Sequence, residues 1–279
     1  MKSASAGSVP LRLLTATVLV PLLAALVWSP VCAPLLLLFV TTLCAVGLRE
    51  FYAIVRRKSI DVEANAGTAA GLAVMLAAYL GDPVLMNAVF FAGVALMAWV
   101  HLLRGAWSVE GLAVSALGVL YVGWMPAHFV LVHRVPELGP GLLTFLCVAV
   151  MCSDAGAFFA GRSMGRNKLA SRLSPNKTWE GAIGGLLGAA LSVAILYALG
   201  RYAGIPGLPP WPLWAYVVIG VVLSVAGQVG DLVESMLKRD VGVKDSGDLL
   251  PGHGGVLDRC DALLFTSPCF YYMFRLLAP

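Results

Sequence analysis

Charge is scarce in this chain: Asp, Glu, Lys and Arg make up 12% of its 279 residues, about half the share of a soluble domain. The six cysteines (Cys32, Cys44, Cys147, Cys152, Cys260 and Cys269) form no CxxC pair, so no Cys/His set with zinc spacing exists. Most lie in apolar runs, where a thiol packs as a small hydrophobe. The pattern GxxxxGK[ST] is missing and nothing resembles a βαβ unit, which excludes a P-loop. No basic stretch is interleaved with aromatic residues, so nucleic acid is excluded as a partner. No repeated halves are visible, which weighs against an ion-coupled transporter.

What is plentiful is apolar. Hydrophobic residues reach 59% and the mean hydropathy is +0.87, more than one soluble core of this length needs; lipid is the natural solvent for the surplus. A spanning helix takes about 20 mostly apolar residues. The pattern predicts an all-α, polytopic integral membrane protein of about nine transmembrane helices, over 11–29, 33–55, 66–81, 84–103, 111–132, 141–160, 181–200, 212–232 and 256–277. The third run is short, which leaves eight as the other count. Residues 1–279 read as one membrane domain, with scaffold spans in 1–140 and catalytic spans and motif loops in 141–279. Lys2 and Arg12 precede the first run as in a signal peptide, but the run is long and is read as a retained span.

Lys and Arg bias in short loops sets orientation. With nine spans, sixteen of the 19 Lys and Arg residues fall on the side of the N-terminus; Arg134, Arg201 and Arg275 fall opposite. This predicts a cytoplasmic N-terminus in the inner (cytoplasmic) membrane.

Two connections are long, residues 161–180 and 231–261, and both fall on that basic side. Anchoring explains their Lys and Arg, but not the acids, glycines and histidine beside them. The first ends Ser174-Pro-Asn-Lys-Thr-Trp-Glu-Gly181. Ser174 or Asn176 is the expected cap of the next helix, whose free N–H groups and partial positive charge suit a phosphate. Lys177 would serve as a mobile cation, with Thr178 among the hydroxyl donors; a capped helix without ligand explains the same residues. Upstream, Asp154 lies late in a span, where a carboxylate is costly and marks a site. Gly184 and Gly188 are read as helix-packing positions.

In the second region a helix reaching about Arg239 puts Asp231, Ser235 and Lys238 at i, i+4 and i+7, on one face. A helix starting near Val256 puts Asp258 and Asp261 on its first turn. Asp231 and Asp258 are then expected to face each other within a basic ring of Lys238, Arg239, Lys244 and Arg259. Carboxylate oxygens suit Mg²⁺, which takes one or two of them together with substrate phosphates. Pro251-Gly-His253-Gly254-Gly255 supplies backbone able to approach a phosphate. His253 could bond to a phosphate or stabilise its loop.

Ser235-x-Leu-Lys-Arg239, Lys244-Asp245, Pro251-Gly-His-Gly-Gly255 and Asp258-Arg-x-Asp261 together resemble the signature of the phosphatidate cytidylyltransferases (CDP-diacylglycerol synthases). The Ser174–Gly181 loop, with Glu180, and Asp154 with Gly156 are similar to that family's upstream elements. The likeness covers roughly 150–265; Cys260 departs from the usual aliphatic residue or Thr. It implies a metal-dependent reaction of CTP with phosphatidate at the lipid bilayer, by a homodimer. Asp231 and Asp258 would be ligands of Mg²⁺, with a second cation allowed, and Asp245 and Asp261 supporting or alternative ligands. Lys177, Lys238, Arg239, Lys244 and Arg259 would hold phosphates, and Ser235 would contact a ligand. A CTP-dependent polyprenol kinase and an ether-lipid cytidylyltransferase are the alternatives.

Overall fold

The computed structural model describes residues 25–105, 107–247 and 254–277. Its helices are α1 (Ala33–Arg56), α2 (Ala64–Tyr79), α3 (Pro83–Leu103), α4 (Val109–His133), α5 (Gly139–Met164), α6 (Trp179–Ala203), α7 (Leu213–Asp240) and α8 (Leu257–Leu277). The only sheet among the described residues is a two-stranded antiparallel ribbon, β1 (Lys168–Ala170) with β2 (Ser174–Thr178). The all-α polytopic expectation holds. Six helices (α1, α3, α4, α5, α6 and α7) are long and apolar enough to cross a membrane, and α2 is a shorter apolar helix. α8 has 21 residues but carries Asp258, Arg259 and Asp261 in its first two turns. The first expected span, 11–29, lies largely outside the described residues.

Local chemistry explains the boundaries. Asp82 caps α3, its Oδ1 accepting the Val84 amide at 2.8 Å, and Pro83 opens the helix without needing a donor. α4 is interrupted by a π-helical turn, Val119–Trp124. Pro126, just beyond it, has no N–H to return to the preceding turn. The carbonyl of Val122 accepts the Cys44 thiol instead, at 3.1 Å. The cysteines are all free, as expected of packing residues.

α6 lays Trp179, Ile183, Leu187, Leu191, Ile195 and Leu199 along one exposed stripe at four-residue spacing, the outward apolar face of a helix solvated by lipid. Its opposite side meets α5 through glycines. A Cβ at Gly156 would strike the Gly184 carbonyl, one at Gly184 the Ala160 methyl, and one at Gly188 the Cys152 carbonyl. Small residues thus bring the two backbones together, as in other membrane helix pairs. Deeper in the bundle, Phe145 of α5 stacks on Phe270 of α8 at 5.3 Å.

Overpacking this seam is costly. Gly184→Val should destabilise the protein by about 1–3 kcal/mol, read as a lowered Tm in detergent, whereas Gly227→Ala, at a helical glycine where a Cβ would meet nothing closer than 3.5 Å, should cost less.

Candidate active site

α7 has 28 residues and is about 42 Å long at 1.5 Å per residue, well beyond a hydrocarbon core of about 30 Å. Its last turns therefore emerge with Asp231, Glu234, Ser235, Lys238 and Arg239. α8 begins alongside: a Cβ at Gly230 would meet the Asp261 carbonyl, so the missing side chain lets the two helices close up. α7 continues past the expected span 212–232 to Asp240, next to the Arg239 considered from the sequence, and α8 starts at Leu257, one residue after the expected 256.

At the centre, Lys238 is shared. Its Nζ lies 2.5 Å from Glu234 Oε2, one turn back, and 2.6 Å from Asp258 Oδ1 on α8. The three side chains are 13%, 4% and 6% exposed, so each charge depends on the others for solvation. Asp258 Oδ2 is equally occupied: it accepts the Ser246 amide at 2.8 Å, the Ser246 hydroxyl at 2.9 Å and the Gly255 amide at 2.8 Å.

One turn deeper, Asp231, Glu234 and Asp261 bring carboxylate oxygens within 4.8 Å of one another, a grouping able to hold a metal ion. Glu234 Oε1 is buried without a hydrogen-bond partner, as is the hydroxyl of Tyr121 in the π turn of α4. Ser235 Oγ lies 3.5 Å from Asp231 Oδ1. Asp231 and Asp258 are thus both at this helix junction, as expected. The acids grouped with Asp231 are Glu234 and Asp261, while Asp258 serves Lys238, Ser246 and Gly255.

The first polar loop folds onto the same place. Lys177 of β2 pairs with Asp231 at 2.6 Å, and Asp154 of α5 lies within electrostatic reach of both. Arg239 reaches the Leu173 carbonyl at 3.4 Å and the Val243 carbonyl at 3.1 Å, tying the two polar regions together.

The expected cap of α6 is corrected. Ser174 and Asn176 lie in β2, and Thr178 is the cap, its Oγ1 accepting the Gly181 amide at 3.1 Å. Pairing of Lys168 with Thr178 and of Ala170 with Ser174 holds the segment extended up to that residue. Glu180 accepts from the amides of Arg166 and Asn167 and from Asn167 Nδ2, which closes the loop. Lys244, Asp245 and Arg259 are exposed nearby. Gly254 adopts φ +78°, and a Cβ there would meet Asp258 Oδ2. Pro251, Gly252 and His253 lie outside the described residues.

A cavity of about 220 Å³ adjoins the junction. Phe51, Ile54, Val55, Val114, Leu117 and Leu257 give it apolar walls, while Glu234, Lys238 and Ser246 give it a polar end.

The model of the cytidylyltransferase family matches residues 10–277. The chain belongs to that family. It is 37% identical over 191 residues to the phosphatidate cytidylyltransferase of Bacillus subtilis, covering 68% of each chain. It is 34% identical over 262 residues to that of Synechocystis, covering 84% of this chain and 86% of the relative, and 36% identical over 197 residues to that of Haemophilus influenzae, covering 68% and 67%.

Sequence reasoning missed Glu50, Tyr121, Glu234 and Ser246. Glu234 was within reach of it, since it sits three residues after Asp231 and four before Lys238. Glu50 carried the signal of a carboxylate inside a long apolar run. Tyr121 and Ser246 gave none.

Removing Lys238 leaves two buried carboxylates facing each other. Lys238→Met should therefore destabilise the protein by about 3–5 kcal/mol, seen as a lower Tm, and Lys238→Met combined with Asp258→Asn should recover part of it.

Proposed function

We propose that this chain transfers the cytidylyl group of CTP to phosphatidate, forming CDP-diacylglycerol and pyrophosphate for phospholipid biosynthesis. The observation that carries this is the meeting of both polar loops, through Lys177 and Asp231 at 2.6 Å, beside the carboxylate group of α7 and α8, in a chain of the cytidylyltransferase family.

In this reading an oxygen of the lipid phosphate bonds to the α-phosphorus of CTP as the bond to the bridging oxygen of the β-phosphate breaks. Pyrophosphate leaves with that electron pair. The lipid phosphate is already ionised near neutral pH, so no general base is needed. The difficulty is electrostatic, because two polyanions must approach. Lys177, Lys238, Arg239, Lys244 and Arg259 are cations gathered around the junction, and positioned charges of this kind provide most of the catalysis in phosphate chemistry.

Asp231, Glu234 and Asp261 would hold a divalent cation. An all-oxygen donor set suits Mg²⁺, and the unpartnered, buried Glu234 Oε1 is what such an ion would satisfy. When bound it would neutralise phosphate charge. Asp258, expected from the sequence as a ligand, keeps Lys238 in place.

The excess of Lys and Arg on one side supports a site at the cytoplasmic face of the inner membrane, where soluble CTP meets a lipid whose acyl chains stay in the bilayer. The family resemblance carries a homodimer into the same proposal.

The test uses purified protein, Mg²⁺, phosphatidate and CTP labelled at the α- or the γ-phosphorus. Label should enter the lipid from the α position only, with one pyrophosphate per CDP-lipid; transfer from the γ position would make the protein a kinase. Asp231→Asn should lower Mg²⁺-dependent turnover by at least about a hundredfold while the protein still inserts and folds, and near-normal turnover would remove Asp231 from the metal site.

A further inference from the structure

Glu50 sits near the end of α1, among residues expected to be scaffold, yet its carboxylate is spent on the other end of the chain. Oε1 accepts the Val256 amide at 3.0 Å. Oε2 accepts the Leu257 amide at 3.0 Å and the Ser246 hydroxyl at 3.3 Å. The first N–H groups of a helix have no partner within it, and its N-terminus favours a negative charge. For α8 that partner comes from α1. The neighbouring glycines fit the same purpose: a Cβ at Gly247 or at Gly255 would strike the Glu50 carboxylate.

The contacts continue inward. Ser246 gives its amide to Asp258 Oδ2 and shares its single hydroxyl proton between Asp258 Oδ2, at 2.9 Å, and Glu50 Oε2, at 3.3 Å. Asp258 Oδ1 holds Lys238, and Lys238 pairs with Glu234 of the three-carboxylate group. Glu50 belongs to none of the groups that would meet substrate, and each link between it and them is a contact given above.

We propose that Glu50 is a positioning residue for the transfer reaction, fixing the start of α8 and Ser246 so that Asp258 and Lys238 hold their places. The inference rests on the functional reading above. It also explains why a carboxylate stands near a site for two polyanions. A negative charge there opposes substrate binding, and it is kept because only a carboxylate accepts from two backbone amides and a hydroxyl at once. Glutamine retains one acceptor oxygen and replaces the other with a donor facing the Leu257 amide.

The experiment compares wild type, Glu50→Gln and Glu50→Ala for kcat and for KM of CTP and phosphatidate, and follows hydrogen exchange of the Val256 and Leu257 amides. Supporting groups of this kind are worth about 10–100-fold. Glu50→Gln should lose about tenfold in kcat and Glu50→Ala about a hundredfold, with KM for CTP changed less than about threefold. The Leu257 amide should exchange faster in both variants and the Val256 amide in Glu50→Ala, and Glu50→Gln should stay folded. A folded Glu50→Gln with wild-type kcat overturns the proposal, whatever Glu50→Ala does. So does a fall in KM for CTP at unchanged kcat, which would make Glu50 only a source of repulsion. Absence of turnover in the wild type strikes the functional reading instead, and amide protection unchanged in Glu50→Gln would then refute the positioning claim by itself.

Discussion

The constraint on which the rest depends is the burial of Lys238 between Glu234 and Asp258. Three charged side chains withdrawn from water at the end of a membrane helix are tolerated only if each oxygen and each proton finds a partner. Asp258 meets that demand fully, with a lysine, two amides and a hydroxyl. Glu234 meets it by half: Oε2 pairs with Lys238, Oε1 has no partner, and a Glu234 oxygen lies within 4.8 Å of carboxylate oxygens of Asp231 and Asp261. The acceptor left open beside other acids is what supports the cation site proposed for Asp231, Glu234 and Asp261.

The surroundings follow from that centre. The length of α7 lifts it out of the hydrocarbon, Gly230 lets α8 come close, and the β-ribbon carries Lys177 back onto Asp231. Substrate chemistry sets the same geometry. One reactant dissolves in water and the other cannot leave lipid, so a polar site at the membrane boundary, next to a mostly apolar cavity, is where they can meet.

Much of this was legible in the sequence, for a local reason. Helix periodicity placed Asp231, Ser235 and Lys238 on one face once the helix was carried past the apolar span to about Arg239, and hydropathy placed the start of α8 to within a residue. The glycines of α6 were legible as packing positions because small residues in a membrane helix have few other uses. What escaped was non-local. Thr178, not Ser174 or Asn176, caps α6 because the preceding residues pair with a strand whose register no propensity encodes. Glu50 pairs with amides more than 200 positions away, and only the folded chain reveals that distance as contact. The resemblance carried the family's acids but could not tell which of them lie beside one another.

The central claim is that the junction of α7 and α8 is a cation site, and anomalous diffraction tests it most directly. Crystals grown with Mn²⁺ in place of Mg²⁺ and a non-hydrolysable CTP analogue should show a peak bounded by Asp231, Glu234 and Asp261, lost in Asp231→Asn. A peak elsewhere, or CTP analogue bound at the junction with no metal beside those carboxylates, would contradict it.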